Sequence, residues 1–245
     1  MGKADLHIHT ALGDGMAEIP ELLGYVEEHT DLSVIAITEH DDLRPALAAR
    51  EAWARAGYRF ELIVGEEVTA LEGHLLALYI EEPVPSLEPL MPTLEAVHRQ
   101  GGLCLIPHPM CWLTRSITQR TIDRVMRDGA TFDGIELARG KPRIGQETAR
   151  RLNRERYHFA EVGGSDAHFL QAVGCAYTTF EGKSEAELRH AIESRTTGVG
   201  NGRYPTLTEL GPVQVVRQQW RGLMATPRKM GWVPTIRSFI QRVRP

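Results

Sequence analysis

The chain has three cysteines in 245 residues, Cys104, Cys111 and Cys175. The count is odd and no C-x-x-C pair occurs, which argues against a disulfide framework and against a thiolate zinc site. The thiols read as reduced, as in a cytosolic protein, and Cys104 reads as a buried structural residue. No apolar run is long enough to cross a bilayer. Met1-Gly2-Lys3-Ala4-Asp5 runs straight into a strand-like segment, so no signal peptide is expected. There is no internal repeat, no low-complexity segment and no serine or cysteine in a nucleophile motif. Acidic residues are nearly missing from residues 203–245, where Glu209 alone faces eight Lys and Arg. The remaining residues carry 31 acids and 20 bases. An acidic body suits bound cations, and the basic tail is a separate electrostatic object.

What is present is an ordinary globular composition, 42% hydrophobic and 24% charged. A chain of this size buries a full core without staples. Apolar runs predict strands over 4–9, 33–38, 61–69, 74–80, 103–106, 134–137, 158–162 and 174–179. The runs Val34–Ile37 and Leu103–Ile106 are nearly all apolar, as in strands buried on both faces. Helical patterns fall between them, over 20–29, 43–56, 87–100, 118–127, 146–156 and 185–194. Ser184 and Glu187 form a capping-box pattern. Strand–helix alternation predicts an α/β fold with parallel strands. The alternation stops near Gly202, which divides a barrel domain, 1–202, from a basic extension, 203–245. Val213–Trp220 and Trp232–Val243 mix Arg with apolar residues, a pattern that also suits nucleic acid or an anionic membrane surface. Pro205, Pro212, Pro227 and Pro234 argue against a long helix there. The extension is therefore expected to pack on the barrel through Trp220, Trp232 and Phe239.

Six of ten histidines cluster at strand ends. His7 and His9 are two apart and share a side of one strand. His40 follows the second apolar run, His74 opens a strand, His108 follows Ile106-Pro107, and His168 closes Ser165-Asp166-Ala167-His168. Asp14, Glu67 and Asp166 add three carboxylates. Any one histidine reads equally well as a satisfied core residue, but the set does not. Ligands from six strands converge over a barrel mouth and not over an open sheet. Nitrogen and oxygen donors without thiolate suit Zn²⁺, Mn²⁺ or Fe²⁺. At roughly three or four protein ligands per ion, nine donors with one bridging carboxylate match three ions. His29, His98, His158 and His190 read as structural or solvated. Asp5 and Asp41 sit beside ligands and are candidates for orienting imidazoles. Arg139, Lys141 and Arg143 follow a strand, and Arg143 is the preferred candidate for binding an anionic group of a substrate.

The ordered motifs H-x-H, Asp14, Thr38-Glu39-His40-Asp41, Gly65-Glu66-Glu67, Gly73-His74, His108-Pro109 and Ser165-Asp166-Ala167-His168 resemble the PHP (polymerase and histidinol phosphatase) family, small stand-alone bacterial type. The resemblance covers about residues 3 to 200. It implies a distorted (β/α)7 TIM-like barrel and a metal-dependent phosphoesterase with two or three divalent ions. Carried over by motif, one ion takes His7, His9, Glu67 and Asp166; a second shares Glu67 with His74 and His108; a third takes Asp14, His40 and His168. Catalysis falls to His40, Glu67, Asp166 and His168, with a hydroxide between two metals attacking phosphorus. Glu39 stands where the family usually has Asp, which touches tuning more than metal count. The expected substrate is a small phosphomonoester: a nucleotide, an oligonucleotide or RNA end, or a metabolite phosphate such as histidinol phosphate. Two other readings remain. One is a catalytically silent metal-binding scaffold whose tail binds partners. The other is an amidohydrolase-type C–N or C–O hydrolase, disfavoured because no lysine joins the ligands.

Overall fold

The computed structural model describes residues 1–231 and residue 236. Its elements are β1 (Gly2–Ile8), α1 (Ile19–His29), β2 (Val34–Ile37), α2 (Arg44–Ala56), β3 (Glu61–Ala70) and β4 (Gly73–Leu78). They continue with α3 (Leu90–Arg99), β5 (Leu103–Ile106), α4 (Gln119–Arg127), β6 (Gly134–Arg139), α5 (Gln146–Leu152) and β7 (Ala160–Gly164). The last are β8 (Ala176–Phe180), α6 (Glu185–Glu193), β9 (Gly198–Asn201), α7 (Leu207–Leu210) and α8 (Pro212–Met230). Each strand and helix predicted before residue 202 has a counterpart. The Ser184–Glu187 capping box forms at the start of α6.

The strands follow the order β7-β6-β5-β4-β3-β2-β1-β8-β9. β1 to β3 run parallel, as do β5 to β7. β4 runs antiparallel to both its neighbours, so the expectation of parallel strands throughout is corrected. The reason is length: the link between Ala70 and Gly73 is a tight turn, and a parallel return needs a crossover of a dozen or more residues. β8 and β9 are also antiparallel and extend the sheet beyond β1. The end of β7 returns to β1, where the Ala167 amide donates to the His7 carbonyl at 3.2 Å and the His9 amide to the Ala167 carbonyl at 2.9 Å. The result is a nearly closed, distorted seven-stranded α/β barrel.

One core cluster draws Ala4, Val34, Ile63, Leu76, Leu105 and Val162 from six strands, together with Leu188 and Ile192 of α6. Contact among residues from all round the ring places this cluster in the barrel's interior, with α6 closing the end where the strands begin. Ile35 and Ile37 alternate to the other face and join Leu22, Leu23 and Val26 under the helices. The bottom is thus filled with hydrocarbon, and the polar residues gather at the opposite, carboxyl ends of the strands.

The extension contains a 19-residue helix, α8. The expectation that prolines prevent a long helix is therefore corrected. Pro212 opens the helix, where a missing amide proton costs nothing, and Pro227 falls only near its C-terminal end. Trp220 is not a packing residue: it is 60% exposed on the same face as Val213, Val216 and Leu223. α8 meets the barrel through other residues. The Arg221 guanidinium donates to the carbonyls of Ala11 and Gly13, and Gln218 is buried. Trp232 and Phe239 lie outside the described residues. Among the described residues no helix is long and apolar enough to cross a membrane.

Candidate metal centre

The nine residues singled out by the sequence meet at the strand ends. β1 presents His7 and, just past its end, His9, with ring centroids 5.1 Å apart. A register irregularity between Asp5 and Ile8 adjusts the strand here, as bulges beside active sites do. Asp14 follows on the β1–α1 loop, His40 follows β2, and Glu67 lies within β3. His74 opens β4, His108 follows β5, and Asp166 and His168 follow β7. His108 and Asp166 have φ of +31° and +54°, a conformation that costs about 1 kcal/mol or more per residue. Such strain is tolerated where side chains must be aimed.

Glu67 is the hub. Its Oε1 lies 2.8 Å from His74 Nδ1 and 2.8 Å from His108 Nε2. Its Oε2 lies 3.1 Å from His7 Nε2, 3.2 Å from His40 Nδ1 and 3.4 Å from His9 Nε2. Asp166 Oδ1 is 3.5 Å from His7 Nε2 and 3.4 Å from His9 Nε2. Asp14 lies 3.1 Å from His168 Nε2 and 3.5 Å from His9 Nδ1. Within this cluster, four groups of donors are close enough to hold an ion: His9–Asp14–His40–His168, His7–His9–Asp166, His7–Glu67–His108 and His40–Glu67–His74. His9 thus reaches two groups, and His74 pairs with His40 as well as with Glu67.

Do these residues fit a metal? Both ring nitrogens of His9, Nδ1 of His74 and Oδ1 of Asp14 are buried without a hydrogen bond. Orphaned buried donors and acceptors are costly unless something binds them. Nitrogen and carboxylate oxygen around a common space is a donor set for divalent ions. His7, His9 and Glu67 are essentially inaccessible, whereas the side chains of His40, Asp166 and His168 are 16%, 19% and 17% exposed. A ligand therefore approaches from the side of His40, Asp166 and His168.

Burial and neighbouring charge oppose each other at the site. Burial alone disfavours charge throughout. Around His7 it is outweighed by the Glu67 and Asp166 carboxylates, which push the ring up to about 10. Burial is likewise outweighed at His9, which is raised well above its usual value by Asp166 and Glu39, and at His168, raised by Asp14. His40 stays neutral, lowered by burial to about 4, and His108 is lowered for the same reason. Glu67 and Asp166 are held well below the carboxylate range, burial being overcome by the histidines around each, and Asp14 is lowered in the same way by His168. Raised imidazoles at His7, His9 and His168 thus face lowered carboxylates at Glu67, Asp166 and Asp14. A divalent ion needs neutral imidazoles, so binding must expel those protons. We expect at least one proton, that of His7, to be released per fully loaded chain near neutral pH. Calorimetry in buffers of different ionisation enthalpy measures this, and a buffer-independent enthalpy would refute it. In the metal-free chain the raised His7 contributes stability that is complete below its unfolded value of 6.5 and is lost as pH rises through about 10.

Two supporting residues, Glu136 and Ser116, escaped the sequence reading, whereas Glu39 was expected to tune the site. Glu136 accepts from His7 Nδ1 at 3.3 Å through Oε1 and from the His108 amide at 2.7 Å through Oε2. Ser116 lies 3.0 Å from His108 Nδ1. Glu39 accepts from the Thr10 amide and lies 3.7 Å from His9 Nδ1. Asp5 and Asp41 do not orient imidazoles. Asp5 accepts from the Ser165 and Gly174 amides, each at 2.8 Å, and its burial lifts its carboxyl to about 6. Asp41 accepts from Thr69 and Ser86. Both brace the backbone that carries ligands. Arg143, the preferred phosphate candidate, lies exposed after β6. Arg139 is the buried cation: it is 1% exposed, Nη2 is 3.8 Å from Asp166 Oδ2, and Nε and Nη1 have no hydrogen bond.

α8 also reaches the site. A Cβ on Gly222 would stand 3.1 Å from Asp14 Oδ2, so the helix backbone passes directly over that carboxylate. Gly222→Val is expected to displace Asp14 and weaken metal binding about tenfold, as for changes next to a ligand. Metal titration by calorimetry checks it.

A profile described as PHP-associated matches residues 147–197. An uncharacterized protein of Methanocaldococcus jannaschii is 29% identical over 145 residues, 55% of this chain and 80% of its own length. The 5′-3′ exoribonuclease Rnm of Salmonella typhimurium is 34% identical over 87 residues, 34% of this chain and 29% of its own length. Among solved structures, a two-domain protein of Bacteroides vulgatus containing a predicted PHP-like metal-dependent phosphoesterase superposes with a TM-score of 0.66. It is 20% identical, and the match covers 89% of this chain and 69% of that one. The resemblance to the PHP family holds in sequence and in fold. This PHP-like chain therefore carries its histidine cluster where a barrel places a reaction centre, at the carboxyl ends of the strands.

Proposed function

We propose that the chain is a metal-dependent phosphoesterase that hydrolyses a phosphomonoester, with a nucleotide or the end of a short RNA as the favoured substrate class. The observation that carries this reading is Glu67, one buried carboxylate shared by five imidazoles, beside a second carboxylate, Asp166, and a buried guanidinium, Arg139. Divalent ions bound there would lower the pKa of a water towards neutral and neutralise charge on the phosphoryl oxygens. His7, His9 and Glu67 form the inaccessible floor that would hold them; Asp14, His40, Asp166 and His168 form the rim, and His74 and His108 the flank. Glu67 would bridge two ions. The number of ions, two or three, and the choice among Zn²⁺, Mn²⁺ and Fe²⁺ are part of the proposal.

The protein's own work is to fix these donors and to receive the substrate's charge. Glu136 and Ser116 fix the tautomers of His7 and His108, so that their Nε2 atoms face the centre. The unpartnered nitrogens of Arg139 favour a phosphoryl oxygen near Asp166. Asp166, His40 and His168 are the accessible groups through which a proton can leave. The partial likeness to an exoribonuclease supports a nucleotide-containing substrate. The basic residues 203–245 are proposed as an extension of the barrel's mouth, with 1–202 as the barrel itself.

Chelation followed by add-back of Mn²⁺ or Zn²⁺ tests the reading: hydrolysis of phosphate esters should disappear and return. Activity that persists in chelator, with the metal shown to be gone, would end it. In the same assay His40→Ala should abolish turnover while the chain stays folded.

A further inference from the structure

A cavity of about 270 Å³ lies against the rim of the metal centre, lined by Met16, Phe169, Leu170, Leu210, Gln214 and Arg217 among others. Two of its walls spring directly from proposed ligands: Met16 is two residues past Asp14, and Phe169 is the residue after His168. The Met16 amide donates to the His168 carbonyl at 2.8 Å, which joins these walls. The third wall is α7 and the first turns of α8. Arg221, one turn beyond Arg217, binds α8 to the Ala11 and Gly13 carbonyls, on the loop that carries Asp14. Through Met16 and Phe169 the cavity adjoins the loops that carry Asp14 and His168.

We infer that this cavity is a subsite for the base of a nucleotide whose phosphate sits on the histidine cluster. The inference rests on the phosphoesterase reading and deepens it. Phe169 offers a half-buried aromatic face on which a base of any sequence stacks. Gln214 and Gln171, also on the cavity wall, carry both donors and acceptors for a base edge. Arg217 and Glu21 place one cation and one carboxylate in the lining, a balance that suits a neutral base. A volume of about 270 Å³ is near the lower end for small-molecule pockets, which suits one ring system and not a duplex. The C-terminal segment is thereby part of the substrate site, supplying the wall that selects the organic group.

The test compares kcat/KM for a nucleoside 5′-monophosphate with that for ribose 5-phosphate, the same ester without a base. Phe169→Ala should lower this ratio about tenfold, the size of a lost base–aromatic stack. Leu210→Trp, which fills the cavity instead of emptying it, should lower the ratio as well, with metal content unchanged in both. A 5′-phosphorylated dinucleotide forms the third arm. A larger loss with it assigns the base to a strand end, and a smaller loss assigns it to a free nucleotide; both support the subsite. A ratio unchanged in both variants overturns the subsite while leaving the phosphoesterase reading intact. Failure of the fully metal-loaded wild type to hydrolyse any of the three esters overturns the reading and the subsite with it.

Discussion

Glu67→Gln is expected to leave the barrel folded and to lower phosphoesterase kcat on the order of a thousandfold or more. The substitution keeps the shape of the side chain, so packing around it is conserved. What changes is charge and acceptor count. Five imidazole nitrogens lie within 3.4 Å of the two Glu67 oxygens. A carboxamide presents an oxygen to one set and a donating NH₂ to the other. The lone pair of an amide nitrogen is delocalised into the carbonyl and is not available to a cation, so the bridge between two proposed ions is lost. The carboxylate also offsets the raised His7, and without it that ring's charge in a buried site is no longer compensated. The metal-free variant should therefore bind fewer protons as well as less metal. Elemental analysis, a chemical-denaturation curve and kcat on one preparation separate the effects. Near-wild-type kcat with full metal content would sink the assignment of Glu67 as the hub.

The sequence made the strand ends legible because buried strands leave unbroken apolar runs, and the chemistry sits where those runs stop. Val34–Ile37 ends one residue before Thr38-Glu39-His40, and Leu103–Ile106 ends just before Pro107-His108. The antiparallel β4 was readable in principle: too few residues separate Thr69 from His74 for a crossover. Alternation of apolar runs says nothing of direction, and the short link was the only signal. Arg139 and Arg143 could not be ranked from sequence, since the turn of the chain at Gly140 decides which one is buried. Gly140 lies so close to Ser165 that a Cβ would stand 2.4 Å from its carbonyl oxygen. That contact is long-range and leaves no local pattern. α8 was obscured because proline was read as a breaker, whereas Pro212 sits at the helix start, where proline fits.

Glu136 had a signal, though it was not used: a lone carboxylate inside the apolar strand Gly134–Leu137. An acid buried there must have partners. It has two, and both are donors. His7 turns Nε2 towards Glu67 and Asp166, so its Nδ1 is the nitrogen that faces Glu136, at 3.3 Å. The other oxygen accepts the His108 amide at 2.7 Å. One carboxylate thus sets the ring of one proposed ligand and the backbone of another, on opposite sides of Glu67. Glu136→Gln conserves volume but cannot conserve this pattern. Whichever way the amide is turned, its NH₂ meets a donor, leaving a buried N–H unpaired at a cost of about 1–3 kcal/mol. If the NH₂ faces His7, the ring's tautomer is pushed the wrong way and Nε2 becomes the protonated nitrogen, unable to bind a metal. If it faces His108, the loop that holds that ring at φ +31° loses its restraint. Either outcome should weaken metal binding roughly 10- to 100-fold, as for other carboxylates that support a ligating histidine. Hydrolysis should recover at high metal concentration, since no proposed ligand has been removed. That recovery distinguishes Glu136 from Glu67, where added metal should not restore turnover. A Glu136→Gln chain with unchanged metal affinity would show that the His7 and His108 rings are held by their packing alone.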